Sequence, residues 1–223
     1  MKKVGVLLSG CGFNDGAEIH ESVLTMLFLD KSGAEMILMA PNIDQMHVVN
    51  HYTGQEMDEY RNVLVESSRI ARGNIKDMAE LSGDDVDALI IPGGFGVAKN
   101  LCDYAMAGPE CSINPDVYRL ISELKLLNKP IGAICIAPAM MAKILGELDE
   151  SANMTIGSDE ATSQDIEAMG SVHVECQVSE MVVDEEKNLV TTPAYMEAKT
   201  IKEAADGIEK LVQSGVKAVI QPF

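Results

Sequence analysis

Short, wholly apolar strands alternate with helical stretches along most of this chain, and this pattern constrains the fold more than any other feature. Four such segments predict buried strands: Val4–Leu8, Met36–Ala40, Ala88–Ile91 and Ile131–Ile134. Strands that lack polar alternation are typical of a sheet covered on both faces. Helices between successive strands favour parallel pairing. The sequence therefore predicts an α/β fold, with a mostly parallel sheet and helices on both faces.

The helical segments and the last third of the chain complete this prediction. Apolar spacing and turn residues predict helices at Ala17–Ser32, Val63–Arg72, Asp116–Leu127, Ile136–Leu145, Gln164–Met169 and Ala198–Ser214. Further strands are predicted at Met154–Ile156, Val172–Val174, Met181–Val183 and Leu189–Thr192. A polar run, Asp184–Asn188, indicates a hairpin turn between the last two strands. No repeat or linker interrupts the pattern, so we predict a single domain over residues 1–223.

The composition excludes several classes of partner. The chain has 17 basic and 35 acidic residues among 223, a formal charge of −18. Binding to nucleic acid or to an anionic membrane surface draws on lysine and arginine, so neither partner is expected. No apolar run approaches the roughly 18–20 residues that a membrane span needs.

Cysteine and histidine usage predicts a cytoplasmic protein without a metal or cofactor. Five cysteines are an odd number and show no CxxC spacing, which favours reduced thiols over disulfides or a zinc site. His47 and His51 share an i, i+4 spacing, but no third ligand stands near them. Neither a GxxxxGK[ST] phosphate loop nor a complete GxGxxG motif is present.

Three loops with unusual content follow predicted strands: residues 9–16, 92–96 and 132–139. In the third, a buried strand passes directly into a helix at Cys135, between small neighbours. This arrangement is typical of a nucleophile elbow, where the helix N-terminus also lowers the pKa of a thiol. The alternative is a buried, inert cysteine, which is the common fate of apolar-flanked cysteines.

The Pro92-Gly93-Gly94 loop and Glu21 each allow two interpretations from residue type alone. Glycines after a strand let backbone N–H groups approach a ligand, as in an oxyanion hole, but they also occur in plain tight turns. Glu21 lies in the first turns of the first predicted helix, where an isolated carboxylate is usually solvated.

Taken together, these segments resemble a known family. The stretches Gly16–Val23, Ile90–Gly94 and Ala133–Pro138 look like the three signature segments of the ThiJ/PfpI superfamily, a branch of the class I glutamine amidotransferase-like fold. Within it, the chain looks most similar to the ElbB group, named for enhancing lycopene biosynthesis. That likeness lies in Ser9–Gly12, Pro92–Leu101 and Thr191–Met196.

The resemblance implies a flavodoxin-like three-layer sandwich that forms a homodimer. It implies that Cys135 is the nucleophile and that a carboxylate from the first helix, Glu21, contacts its sulfur. It also implies that the backbone N–H groups of Gly94 and Ile136 face a developing oxyanion.

One departure from the superfamily shapes the predicted activity. Many members carry a histidine after the strand that follows the elbow helix, and the matching stretch here, Thr155–Glu160, has none. Protease and amidase chemistry needs an acid to protonate the leaving amine, so both are disfavoured. We predict instead a cofactor-free glyoxalase that converts small α-oxoaldehydes (glyoxal, methylglyoxal) to 2-hydroxy acids through a cysteine hemithioacetal, with apparent deglycase activity. If Phe13, Phe95 and Tyr195 crowd its pocket, only small substrates are accepted.

Two alternatives belong to other classes of function. Cys135 is also suited to a redox-sensing or regulatory protein, acting on isoprenoid metabolism or a stress response through an oxidisable thiol. A holding chaperone is the weaker alternative and rests on family precedent alone.

Overall fold

A computed structural model describes the backbone of residues 2–220 and the side chains of residues 2–214. The predicted domain also includes Met1 and residues 221–223, which lie outside the described residues. The central feature is a seven-stranded sheet in the order β10-β11-β7-β6-β1-β2-β5. Its strands are β1 (Lys3–Leu7), β2 (Glu35–Ala40), β5 (Lys76–Asp77), β6 (Ala88–Ile91), β7 (Ile131–Ile134), β10 (Val182–Asp184) and β11 (Leu189–Thr192).

All neighbouring strands of this sheet are parallel except β10, which pairs antiparallel with β11. The polar run before β11 forms the predicted hairpin turn, in which Asn188 takes a φ of 50°. Since parallel strands point the same way, the loops after β1, β6 and β7 leave the sheet at one edge. The predicted mostly parallel α/β arrangement is confirmed.

Helices cover both faces of the sheet. They are α1 (Ile19–Lys31), α2 (Val63–Ile70), α3 (Tyr104–Ala107), α4 (Pro115–Leu126), α5 (Ala137–Glu147), α6 (Glu160–Ala168) and α7 (Ile201–Ile220). Alternate strand residues divide the core, so that Leu89 and Ile91 pack with α4 and α5 while Ala88 and Ile90 pack with α1 and α7. This alternation builds one apolar layer on each side of the sheet.

Helix α1 buries a different face from the one its apolar spacing suggests. Ile19, Val23 and Leu27 share one stripe and are 42%, 45% and 43% exposed. The opposite face carries Glu21 and Ser22 and is buried against the sheet. The helix therefore turns a carboxylate inward and leaves an apolar stripe at the surface.

Several elements differ from the predicted ones. β8 (Asn153–Met154) and β9 (Val172–His173) pair with each other in a separate small sheet, which contacts the β10–β11 end of the central one. Another small hairpin, β3 (Val49–Asn50) with β4 (Gln55–Glu56), lies in the irregular stretch before α2. The final helix begins three residues later than predicted and continues past residue 214. None of the helices within residues 2–220 combines the length and the apolar character that crossing a bilayer demands.

Two leucines on α4 provide a matched test of this packing. Leu124 is fully buried against the sheet, whereas Leu126 is 87% exposed. We expect Leu124→Ala to lower the free energy of unfolding by about 2–5 kcal/mol, because it removes apolar contacts and leaves a cavity. Leu126→Ala should change it by less than about 0.5 kcal/mol. Urea unfolding followed by circular dichroism measures both, and equal effects would contradict the assigned helix face.

Candidate active site

Cys135 occupies a strained turn between β7 and α5. Its φ of 61° lies in the left-handed region, which a non-glycine residue adopts only where the surroundings hold it. Its N–H donates to the carbonyl oxygen of Thr192 at 3.0 Å, which ties the turn to the end of β11. Helix α5 begins two residues later, after Ile136. This is the predicted strand-turn-helix geometry of a nucleophile elbow.

Three groups surround the Cys135 sulfur. The backbone N–H groups of Gly94 and Ile136 and the Glu21 carboxyl group lie close enough to it to shift the pKa of its thiol. The structure thus brings together all four residues proposed from the sequence. N–H groups held in this way also suit an oxyanion that develops beside the sulfur.

The Gly93-Gly94 pair is required by close approach and by backbone conformation. A Cβ atom at Gly93 would lie 2.8 Å from Oε2 of Glu21 and 2.9 Å from the carbonyl oxygen of Ile134. Gly94 has a φ of 95°, and a Cβ there would meet the backbone of the loop that leads into α1. Both positions therefore exclude a side chain.

Glu21 is held in place by backbone donors. Its Oε2 accepts the N–H of Gly93 at 2.8 Å, and its Oε1 accepts the N–H of Tyr195 at 3.1 Å. The preceding Glu18 caps α1 by accepting the N–H of Glu21 at 2.7 Å. The Glu21 side chain is fully buried, so these backbone donors hold it in place without contacts to water.

Burial shifts both ionisable groups of the pair in the same direction. Loss of hydration raises the pKa of Glu21 to about 8, although the backbone N–H groups of Tyr195 and Gly93 oppose the shift. Burial, followed by the neighbouring Glu21 charge, raises the pKa of the Cys135 thiol well above its usual value. The N–H groups of Gly94 and Ile136 act in the opposite direction. At neutral pH Glu21 therefore retains a proton that an exposed carboxyl group would lose.

A cavity of about 320 Å³ opens onto Cys135. The three aromatic residues expected from the sequence, Phe13, Phe95 and Tyr195, all line it. Sequence reasoning missed the other polar side chains of its wall, which are Glu18, Tyr104, Asp159 and Thr162. Only the helix-capping role of Asp159, which accepts the N–H of Thr162 at 2.8 Å, has a local sequence signal.

Within residues 2–214, no histidine lines this cavity. In the stretch that lacks the superfamily histidine, Ser158 donates its N–H and its hydroxyl to Glu197. His20 lies outside the lining residues and pairs its Nδ1 with the Tyr195 hydroxyl at 2.8 Å. His51 faces the first loop, where its Nε2 accepts the N–H of Asn14 at 3.2 Å.

All five cysteines are free thiols. In the part of the chain that the structure describes, no three His, Cys, Asp or Glu side chains converge as metal ligands would.

The fold and this site define a class I glutamine amidotransferase-like protein. A human protein named glutamine amidotransferase-like class 1 domain-containing protein 3, mitochondrial, is 42% identical over 221 residues, spanning 95% of this chain and 81% of its own length. No family model matches the chain. Because the identity extends over nearly its whole length, the chain belongs to the glutamine amidotransferase-like class 1 family.

Solved structures agree with this assignment. An isoprenoid biosynthesis protein with an amidotransferase-like domain from Ehrlichia chaffeensis superposes with a TM-score of 0.91 at 36% identity, covering 99% of this chain and 100% of that one. A ThiJ/PfpI domain protein from Brachyspira murdochii shares the fold at 16% identity, with a TM-score of 0.56 and coverage of 97% and 96%. The predicted flavodoxin-like fold is confirmed.

The raised pKa of Glu21 predicts a pH-dependent stability. Below pH 4.5, the ordinary pKa of a glutamate carboxyl group, Glu21 is neutral in the folded and unfolded states, and between pH 4.5 and about 8 the folded state alone retains the proton. The Glu21 contribution to stability is therefore lost as the pH rises through this window. Glu21→Gln cannot ionise, so we expect its stability relative to wild type to increase by roughly 2–5 kcal/mol from about pH 5 to about pH 8.

Urea unfolding at the two pH values measures this difference. Glu167→Gln replaces an exposed carboxylate and serves as the control, with no comparable trend expected. A constant difference between Glu21→Gln and wild type would contradict a protonated Glu21. A fixed offset is expected as well, because the amide loses one of the two acceptor oxygens that Glu21 offers to Gly93 and Tyr195.

Proposed function

We propose that this protein is a cofactor-independent glyoxalase-type lyase that converts glyoxal or methylglyoxal to the corresponding 2-hydroxy acid. The observation that carries the proposal is the pairing of the Cys135 sulfur with the buried Glu21 carboxyl group, beside two backbone N–H donors at the end of a cavity. A nucleophile and a proton carrier are the two groups that this isomerisation needs.

The reaction begins when the Cys135 sulfur attacks the aldehyde carbon of glyoxal. In the ionised fraction that a pKa of about 8 leaves to Glu21 near neutral pH, its carboxylate accepts the thiol proton. The new alkoxide accepts the N–H groups of Gly94 and Ile136 and then takes that proton from Glu21, which returns to the carboxylate. The product of this step is a hemithioacetal on Cys135.

Glu21 then transfers a proton between the two substrate carbons. Its carboxylate removes the C–H proton of the hemithioacetal, which gives an enediolate, and returns this proton to the neighbouring carbon. The hydroxyl proton moves to the neighbouring oxygen at the same time, which gives a thioester. A carboxyl group with a pKa of about 8 is well matched to both directions of this transfer near neutral pH. Water hydrolyses the thioester, releasing glycolate and restoring the Cys135 thiol. Removal of free aldehyde would also give apparent deglycase activity.

Glycolate formation from glyoxal tests this proposal. We expect wild-type turnover to fall at least about 100-fold in Cys135→Ala and in Glu21→Gln, because each removes one of the two reacting groups. Cys176→Ala, at a cysteine outside the cavity, should retain activity. Enzymatic or chromatographic detection of glycolate at matched protein concentration provides the measurement. Equal turnover in wild type and Cys135→Ala, or none in either, would overturn the glyoxalase proposal.

A regulatory thiol is the second candidate function, favoured by the same exposed cavity and by the carboxyl group beside the sulfur. Oxidation of Cys135 by stoichiometric peroxide in a protein without aldehyde turnover would support it.

The solved relative described as an isoprenoid biosynthesis protein suggests membership of the ElbB group and a role in that metabolism. A cytoplasmic location stays a prediction, because the human relative is named as mitochondrial.

We also propose that the chain forms a homodimer through the apolar stripe of α1. Ile19, Val23 and Leu27 lie side by side at the surface, where a contiguous apolar patch indicates an interaction site. Leu27→Glu should convert the dimer to a monomer in sedimentation velocity, because it introduces a charge into the stripe. Leu126→Glu, at an exposed leucine on α4, should leave the oligomeric state unchanged. A monomeric wild type would contradict the dimer, and a dimer that survives Leu27→Glu would exclude this stripe.

A further inference from the structure

Two buried cysteines face each other at the neck of a surface loop. Cys102 and Cys111 are 5% and 2% exposed, and their thiol groups lie within hydrogen-bonding reach of one another. Cys102 also donates its S–H to the carbonyl oxygen of Val97 at 3.2 Å. Neither residue lines the Cys135 cavity, so the mechanism proposed above does not use them.

Backbone hydrogen bonds hold the two chain segments of this neck together. Cys102 forms an antiparallel bridge with Ile113, and the N–H of Asp103 donates to the carbonyl oxygen of Ser112 at 3.2 Å. Ser112 returns its own N–H to the Asp103 carboxylate at 2.6 Å. Two chain segments held together in this way keep the two sulfur atoms close to each other.

The loop beyond the neck, residues 103–110, forms part of the cavity wall. Tyr104 and Ala105 line the cavity, and the Tyr104 hydroxyl donates to Asp165 on α6 at 2.6 Å. Lys143 donates to the carbonyl oxygen of Pro109 at 3.4 Å, and the part of the loop between these contacts, residues 105–107, is exposed, with Met106 at 71%. An exposed segment of this kind opens locally at lower cost than the core, which admits a small oxidant to the buried sulfurs.

We propose that Cys102 and Cys111 are a reversible dithiol–disulfide pair that responds to hydrogen peroxide and closes the base of the 103–110 loop. Cys111 is the attacking sulfur. Its thiolate displaces hydroxide from the peroxide and becomes a sulfenic acid. The Cys102 thiol then attacks that sulfur, and the sulfenic oxygen leaves as water. Overall, two thiols and one peroxide give one disulfide and two waters, so the two electrons lost by sulfur reduce the peroxide.

The environment assigns the order of these steps. Contact with the Cys102 thiol and, after it, the Lys143 charge lower the pKa of Cys111, while burial and the nearby Asp103 carboxylate oppose the shift. The same contact with Cys111 and burial raise the pKa of Cys102. A lower pKa supplies the thiolate that reacts first, and a resolving thiol already in contact captures the sulfenic acid before further oxidation.

Peptide mass mapping of the full chain tests the proposal. Reduced protein is treated with about one equivalent of hydrogen peroxide, blocked with an alkylating agent and digested. Trypsin leaves both cysteines in one peptide, residues 100–119, because no lysine or arginine lies between Lys99 and Arg119. We expect the mass of this peptide to fall by two hydrogen atoms and neither cysteine to be alkylated. Reduction with dithiothreitol should restore the two hydrogen atoms and make both cysteines available for alkylation. Cleavage after Glu110 then gives two fragments that separate only on reduction.

Cysteine-to-serine variants identify the two residues that form the disulfide. Cys111→Ser and Cys102→Ser should each abolish the loss of hydrogen, whereas Cys176→Ser should preserve it. The wild-type map decides the question even if a variant fails to fold. Oxygen added to Cys102 or Cys111 without a crosslink, a disulfide to any other cysteine, or an unchanged peptide 100–119 would overturn the proposal. Because Cys135 lies in a different tryptic peptide, its own oxidation and the glyoxalase result are scored separately.

Discussion

The site depends on the close approach of the Gly93 backbone to the Cys135 turn. The Gly93 N–H donates to Glu21, and its carbonyl oxygen accepts the N–H of Glu18 at 2.9 Å. One glycine after β6 therefore fixes the start of α1 and lies against the end of β7. Any side chain at this position would push Glu21 and Cys135 apart, since its Cβ alone would overlap Oε2 of Glu21 and the Cβ of Cys135. The chemistry of the pair thus rests on a backbone contact between three adjacent parallel strands and their loops.

The same contact explains why a carboxyl group is tolerated in the core. Burying an ionised carboxylate is unfavourable unless it is neutralised or hydrogen-bonded. Glu21 has two backbone donors, which orient it, but burial outweighs them and leaves its pKa near 8. The protein therefore maintains a neutral acid beside a thiol, where proton transfer between oxygen and sulfur involves no solvent. A solvated carboxylate would hold its charge and would serve poorly as a proton carrier near neutral pH.

Local sequence patterns predicted the sheet and the Cys135 elbow. The buried face of α1 and the other residues of the cavity wall depend on long-range packing. Cys135 was recognisable because a buried strand, small residues and a helix follow one another directly in the sequence. The inward face of α1 was not predictable from spacing, because its apolar stripe of Ile19, Val23 and Leu27 lies at the surface while Glu21 is buried. Its site role was proposed from family resemblance alone. Tyr104 and Asp159 were missed because contacts across the fold, and no local motif, bring them to the cavity.

The absence of the superfamily histidine is consistent with the isomerisation that we propose for this site. Hydrolysis of an amide needs an acid that protonates a departing amine at some distance from the nucleophile, and a histidine beyond the sulfur fills that role elsewhere in the superfamily. Isomerisation of a hemithioacetal moves a proton between adjacent carbons and releases no amine. In the proposed reaction a single carboxyl group next to the sulfur carries this proton, and Glu21 is buried beside Cys135. The absence of the histidine therefore leaves both groups of the proposed reaction in place.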